Sequence, residues 1–208
     1  MRRLAAALLH YPVLDRGGDI VTTAITNLDL HDLARSAHCY GLSDLFVVHP
    51  IAAQRELALR VRTHWTEGSG ARRIPDRKPA LAMLRITENL EQVVAALGGL
   101  TPEGSDAPGG SDHPEGSDRK VELWTTSARA AARACLSFGE ARRRLGSVGP
   151  PVLLLFGTGW GLAPAVDAEA GYRLAPIESP RRDGFNHLSV RAAAAIVFDR
   201  LLGERSAC

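Results

Sequence analysis

Residues 152–162, VLLLFGTGWGL, set five apolar residues directly before Gly157, Gly159 and Gly161 on alternate positions. An apolar run of that length ending in a turn reads as a strand buried on both faces, as in a parallel sheet. The glycines read as a turn whose backbone makes room for a ligand. A dinucleotide fingerprint needs its third glycine at position 162, where this chain has Leu162, and a long helix next, where this chain has Pro164. No Gly-Lys-Ser/Thr follows, which excludes a Walker A loop. The turn therefore suits another nucleoside-bearing cofactor, or no ligand at all.

Outward from that strand, strand-like and helix-like segments alternate. LAAALLH (4–10) reads as a buried strand, LFVVHP as a second, ALAMLRI as a third, VELWTT as a fourth and YRLAPI as a sixth after VLLLF. Residues 29–40 place Leu30, Leu33, Ala34 and Ala37 at helical spacing before Gly41, and AAQRELALRVRTHW has one apolar helical face. ENLEQVVAAL reads as a helix capped by Thr87, SFGE (137–140) as a capping box, and LSVRAAAAIVFDRLL as a long helix stopped by Gly203. This alternation predicts an α/β domain with a mostly parallel sheet flanked by helices. Ligands of such folds sit beyond the carboxyl ends of the strands, where WTTS, FGTGWGL and APIESPRRDGFNH all fall.

Composition places the chain among ordinary proteins with one core: 208 residues, 45% hydrophobic and 23% charged. Residues 101–118, TPEGSDAPGGSDHPEGSD, hold five acids and no lysine or arginine, and predict a disordered low-complexity insertion in a single domain spanning 1–208. Without that stretch 25 basic residues face 18 acidic ones, and all but Lys78 and Lys120 are arginine. Such a balance permits an RNA partner, and an arginine-biased genome would produce the same excess. The apolar runs are too short to span a bilayer. MRRLAAALLHYP lacks a signal-peptide cleavage site and reads as the opening strand. Cys39, Cys135 and Cys208 have no metal-type spacing and fit a reducing cytoplasm.

Three strings, ITNLDLHDLARSAHCYGLSDLFVVHP, LLLFGTGWGL and FNHLSVRAAAAI, resemble the successive motifs of the SPOUT class of RNA methyltransferases. The resemblance is strongest to its bacterial tRNA guanine methyltransferase-like subfamily and covers the chain outside 101–118. It implies a C-terminal trefoil knot, S-adenosylmethionine as cofactor, a tRNA or rRNA substrate and a homodimer with composite sites. Carried over by position, the cofactor would lie against Thr125, Thr126 and Ser127, then Phe156, Gly157, Thr158, Gly159, Trp160 and Gly161. The third loop runs from Pro176 and Ile177 to Asn186, Leu188, Ser189 and Val190. A side chain at Gly159 would fill the adenosine space. On the acceptor side the resemblance points to Arg35, ahead of Tyr40-Gly41, with Asp29 as a helix cap or a proton acceptor. Asn27, His31, Arg181 and Arg182 are candidate RNA contacts, and Asp32–Arg35 a candidate surface ion pair.

Two positions depart from the class pattern: Asp29 stands where many members have asparagine, and His187 where many have the asparagine of an N-x-S motif. The departures leave open the acceptor atom, and an RNA-binding module without turnover as the alternative function. Replacing residues 101–118 by a short Gly-Ser link should leave the melting temperature nearly unchanged, because loop-closure entropy varies slowly with length. A loss of many degrees on calorimetry would show the stretch to be packed.

Overall fold

β1 (Leu4–Leu9) is buried at all six positions and forms parallel ladders on both sides, as its unbroken apolar sequence requires. The protein is described from a computed structural model that covers residues 1–99, 121–129 and 134–204. The 101–118 stretch, with the expectation of disorder attached to it, lies outside the described residues. After β1 come a small antiparallel hairpin, β2 (Val13–Leu14) with β3 (Ile20–Val21), and then α1 (Asn27–Cys39). β4 (Leu45–Val48), α2 (Ala52–Thr66), α3 (Ser69–Arg73), α4 (Lys78–Ala82), β5 (Leu84–Thr87) and α5 (Leu90–Gly98) follow. The second half holds β6 (Glu122–Thr125), α6 (Phe138–Gly146), β7 (Val152–Gly157), α7 (Pro164–Glu169), β8 (Tyr172–Arg173) and α8 (Val190–Leu202).

Six strands make one parallel sheet in the order β5-β4-β1-β7-β6-β8. Strand alternation divides the side chains between two cores. Leu4, Ala6 and Leu8 with Val152, Leu154 and Phe156 meet Leu30 and Leu33 of α1 and Val197, Phe198 and Leu201 of α8. Ala5, Ala7 and Leu9 with Leu153 and Leu155 meet Val93 and Leu97 of α5 and Val166 of α7. The three alanines let helices approach the centre of the sheet closely. Each fully buried leucine contributes about 1.5–3 kcal/mol of transfer free energy.

The α/β architecture agrees with the expectation, and the differences are local. α1 begins at Asn27, two residues early, because Thr26 rather than Asp29 supplies the cap: its hydroxyl accepts from the Asp29 N–H. The first half of ALAMLRI is the helix α4, which starts beside Pro79, and only Leu84–Thr87 is strand. α5 is capped by Asn89 instead of Thr87, with the Asn89 side chain accepting from Gln92 N–H at 3.0 Å. YRLAPI yields a two-residue strand, extended by a bridge between Leu136 and Leu174. The Ser137–Glu140 capping box is present with both of its reciprocal bonds. No helix among the described residues is long and apolar enough to cross a membrane.

The amino ends of the strands are held by buried carboxylates. Asp44 accepts from Arg3 at 2.6 Å and from Arg85. Glu122 accepts from Arg2 at 2.8 Å, Arg144 at 2.5 Å and the Trp124 indole at 2.7 Å. Burial pushes the Asp44 carboxyl upward, but the hydrogen bonds from Arg3 and Arg85 outweigh it and hold the group below its ordinary range. Asp44→Asn should cost about 1–2 kcal/mol near neutrality, moderated because both arginines reach water. A depressed folded-state pKa means that this stabilisation is complete above about pH 4 and is lost as pH falls through the folded value. Urea titrations should therefore show the gap between wild type and variant constant near pH 7 and closing below about pH 4.

Candidate functional site

The carboxyl ends of β7 and β6, with the segment around Thr23 to Asp29, open onto a cavity of about 410 Å³, walled on its far side by the start of α8. It lies where strand order turns back on itself, with β1 between β4 and the late strand β7, the position at which open α/β sheets bind ligands. Of the residues the family resemblance assigned to the cofactor, Thr126, Ser127, Phe156–Gly161, Ile177, Asn186, Leu188, Ser189 and Val190 all line it. Two do not. Thr125 is fully buried with its hydroxyl donated to Asp167, and Pro176 is outside the lining.

The glycine-rich turn is zipped to the segment after β1. Trp160 N–H donates to the Leu14 carbonyl at 2.8 Å, Leu14 N–H to the Gly161 carbonyl at 2.9 Å, and Ala163 N–H to Pro12 at 3.1 Å. A Cβ on Gly159 would lie 2.7 Å from that same Leu14 oxygen, and its φ of +58° favours glycine. The expectation that Gly159 clears space for adenosine is therefore corrected: glycine is needed there for backbone packing. Gly161, with φ +106°, has nothing within 4 Å of its would-be Cβ and is the glycine that borders open space.

Thr23, which the sequence did not single out, is a hub behind this turn. Its N–H donates to the His10 carbonyl at 3.0 Å, and its own carbonyl pairs with His49 Nε2 at 2.9 Å. Its hydroxyl lies 3.0 Å from His10 Nδ1 and 2.5 Å from the Thr158 hydroxyl, which in turn donates to Leu9. With Thr158 donating to Leu9, the chain of donors runs from His10 Nδ1–H through Thr23 to Thr158. His10 Nε2 is then a bare acceptor, and it has no partner among the described residues. Burial, then the neighbouring His49 ring 5.4 Å away, lowers the His10 pKa to about 4. Burial lowers His49 as well, and His49 Nδ1 accepts from Ile51 N–H at 3.1 Å.

Asp29 lines the cavity and is buried. Its carboxylate accepts from Thr26 at 2.6 Å and pairs with Arg191 of α8 at 2.8 Å. Arg191 also reaches Asp32 at 3.4 Å, so Asp32 meets Arg191 in place of the expected Arg35. Arg35 and Asn27 are exposed on α1, outside the cavity of their own chain. His31 packs against the edge of Trp65, ring centres 5.1 Å apart, and is not part of the lining. Arg181 is held by Asp183 two residues on, Nε to Oδ1 3.0 Å, and Arg182 is exposed. Asn186 braces the last loop by donating to Ile177 at 2.9 Å and to Ala128 at 3.3 Å. His187, Arg191 and Arg129 line the cavity beyond the residues predicted.

Residues 3–106 and 110–203 match the family described as SAM-dependent RNA methyltransferase. A protein of Oleidesulfovibrio alaskensis named tRNA (guanine-N(1)-)-methyltransferase is 38% identical over 98% of this chain, which covers 43% of that relative. A Nitratidesulfovibrio vulgaris protein of the same name is 39% identical with the same coverage. The chain thus spans under half the length of these curated relatives. An uncharacterized Aquifex aeolicus protein is 32% identical, with 97% of this chain and 89% of that one aligned. Among solved structures, a methylase family protein of Neisseria gonorrhoeae superposes with TM-score 0.61 at 13% identity, over 100% of this chain and 84% of the other. The SpoU methyltransferase AviRb of Streptomyces viridochromogenes, solved with AdoMet, gives 0.55 at 15% identity over 97% and 60%. These structural likenesses show a shared fold.

The His10 geometry has a thermodynamic signature. A histidine neutral in the fold down to about pH 4 and near 6.5 when unfolded destabilises the fold progressively as pH falls between those values. The loss amounts to up to about 3 kcal/mol from this residue. His10→Gln should flatten the decline of stability between pH 6.5 and 4 in thermal melts, while an unchanged slope would mean that His10 is protonated in the fold.

Proposed function

The chain belongs to the family of SAM-dependent RNA methyltransferases, and on that footing we propose that it binds S-adenosylmethionine in the carboxyl-end cavity and methylates a nucleotide of tRNA or rRNA. One observation carries the reading: three loops distant in sequence, at 126–129, 156–161 and 186–190, converge on one cavity of a nucleoside's scale. The lining fits the cofactor. The N–H groups of Thr158, Trp160 and Gly161 are already bonded within the fold, so the glycine-rich turn offers chiefly carbonyl acceptors to an adenine edge, and Phe156, Leu174, Ile177, Leu188 and Val197 offer apolar contact. When bound, S-adenosylmethionine supplies an activated sulfonium methyl, so the protein's share is positioning and proton removal. Thr23 and Thr158 hold the turn in place, and the Asp29–Arg191 pair fixes the wall between α1 and α8.

The names of the two curated relatives favour tRNA over rRNA. The guanine N1 atom in those names belongs to proteins more than twice the aligned length, so the acceptor atom is not carried over. A homodimer and a cytoplasmic site of action are part of this reading. Arg35 faces solvent beside Leu28, itself 61% exposed, and serves chemistry only if it reaches the cavity of a second copy. Ala192, Ala195 and Ile196 of α8 stay half-buried within the chain, which leaves an apolar face for such a copy, while Ala193 lines the cavity. The knot implied by the family resemblance is part of this reading; Asn186 ties the 186–190 segment to Ala128 and to Ile177.

Mass spectrometry of nucleosides from total RNA of a deletion strain should lack one methylated nucleoside present in wild type. Calorimetry should give micromolar or tighter binding of S-adenosylhomocysteine, with no binding of NAD. Ligand binding without any missing nucleoside would favour the RNA-binding module. Each mixed dimer of Arg35→Ala and Gly161→Val should regain one intact site, about half of a wild-type dimer's activity, and no recovery despite subunit exchange would show that each chain builds its site alone.

A further inference from the structure

We propose that Trp160, Phe185 and His187 form a stacking platform for a nucleobase of the RNA at the mouth of the cavity. The proposal rests on the RNA methyltransferase reading above and adds an acceptor-side site to it. Two loops contribute the rings. The His187 ring lies 5.1 Å from that of Trp160 and 5.5 Å from that of Phe185, both edge-to-face, at 67° and 76°. Trp160 is 42% exposed and Phe185 58%, so much of each ring remains in water although each packs edge-to-face with His187.

The backbone is built for this exposure. Trp160 stands between Gly159 and Gly161, and Phe185 follows Gly184; all three glycines have left-handed φ values, +58°, +106° and +76°. Each turn lifts a ring away from the body of the chain. The loop under Phe185 is itself braced, with Phe185 N–H donating to Asp183 at 3.1 Å and Asn186 donating to Ile177 at 2.9 Å. The rings are thus held at fixed places, which lowers the entropy lost on stacking.

Charge and position identify the occupant. Arg182 is exposed two positions before Gly184, and Arg129 lines the same cavity, so cations suited to phosphates flank the apolar faces. Nucleobases present π-faces joined by phosphates, and aromatic platforms flanked by cations bind single-stranded RNA in that way. This assigns the Trp160 ring to the RNA, while its backbone N–H remains part of the turn that lines the cavity.

The test titrates total tRNA from a strain lacking this protein into the full chain, saturated with S-adenosylhomocysteine, at several salt concentrations. Phe185→Ala and His187→Ala should each weaken tRNA binding about 5- to 10-fold. Phe185→Ala, which lies outside the cavity lining, should leave S-adenosylhomocysteine affinity unchanged, and neither variant should change the slope of affinity against salt, because stacking releases no counterions. Phe185→Tyr and His187→Phe should restore binding, and Arg182→Ala should reduce the salt slope instead. Unchanged tRNA affinity in both alanine variants overturns the platform. So does a parallel loss of S-adenosylhomocysteine affinity in Phe185→Ala, which would place that ring on the cofactor. If the wild-type chain binds S-adenosylhomocysteine but no tRNA, the platform fails while the cofactor reading stands. If it binds neither, both fall.

Discussion

The pairing of β1 with β7 is the constraint on which the rest depends. Leu4 to Leu9 stand in register with Val152 to Gly157, so the first strand and a late one leave the sheet side by side. Their continuations are forced into contact, and this is why the Leu14 carbonyl meets the Trp160 amide and Thr23 meets Thr158. Both strands are apolar on both faces, so side-chain size rather than polarity ties the register: a one-residue slip would place Leu8 and Phe156 in the core that now holds Ala7 and Leu155. The cavity is a consequence of strand pairing; the glycines permit it and do not create it.

Much of the fold was legible because two periodicities recur plainly: apolar runs such as LAAALL and VLLLF, and helical faces such as that of α1. ALAMLRI misled because a short apolar run fits a helix end and a strand equally, and Lys78-Pro79 starts a helix there. The β2–β3 hairpin escaped notice because two-residue strands carry no period. The segments that line the cavity were legible through their family strings. Thr23, His10 and Arg191 were not, because their roles come from contacts between parts of the chain far apart in sequence. Asp29 lines the cavity and is not the cap; the helix begins two residues earlier.

Between α1 and α8, Arg191 does what apolar packing alone does not. Leu33 and Phe198 bring the helices together without choosing an angle or a rotation, whereas a guanidinium shared by Asp29 and Asp32 accepts one arrangement. Because Asp29 and Arg191 also wall the cavity, the orientation of the two helices and the shape of the site are one variable. A change in that helix packing is felt directly by whatever occupies the cavity.

The sheet also divides its labour between its two ends. Asp44 and Glu122, with their arginines, lock the amino ends, while the hydroxyl hub, the glycine turn and the aromatic rings occupy the carboxyl ends. Substitutions in the loops at the mouth of the cavity therefore draw little on the interactions that keep the chain folded. A lineage carrying this architecture is free to try new residues at positions such as 182, 185 and 187 without first acquiring compensating stability elsewhere. Evolvability of the cavity mouth follows from where the carboxylates sit.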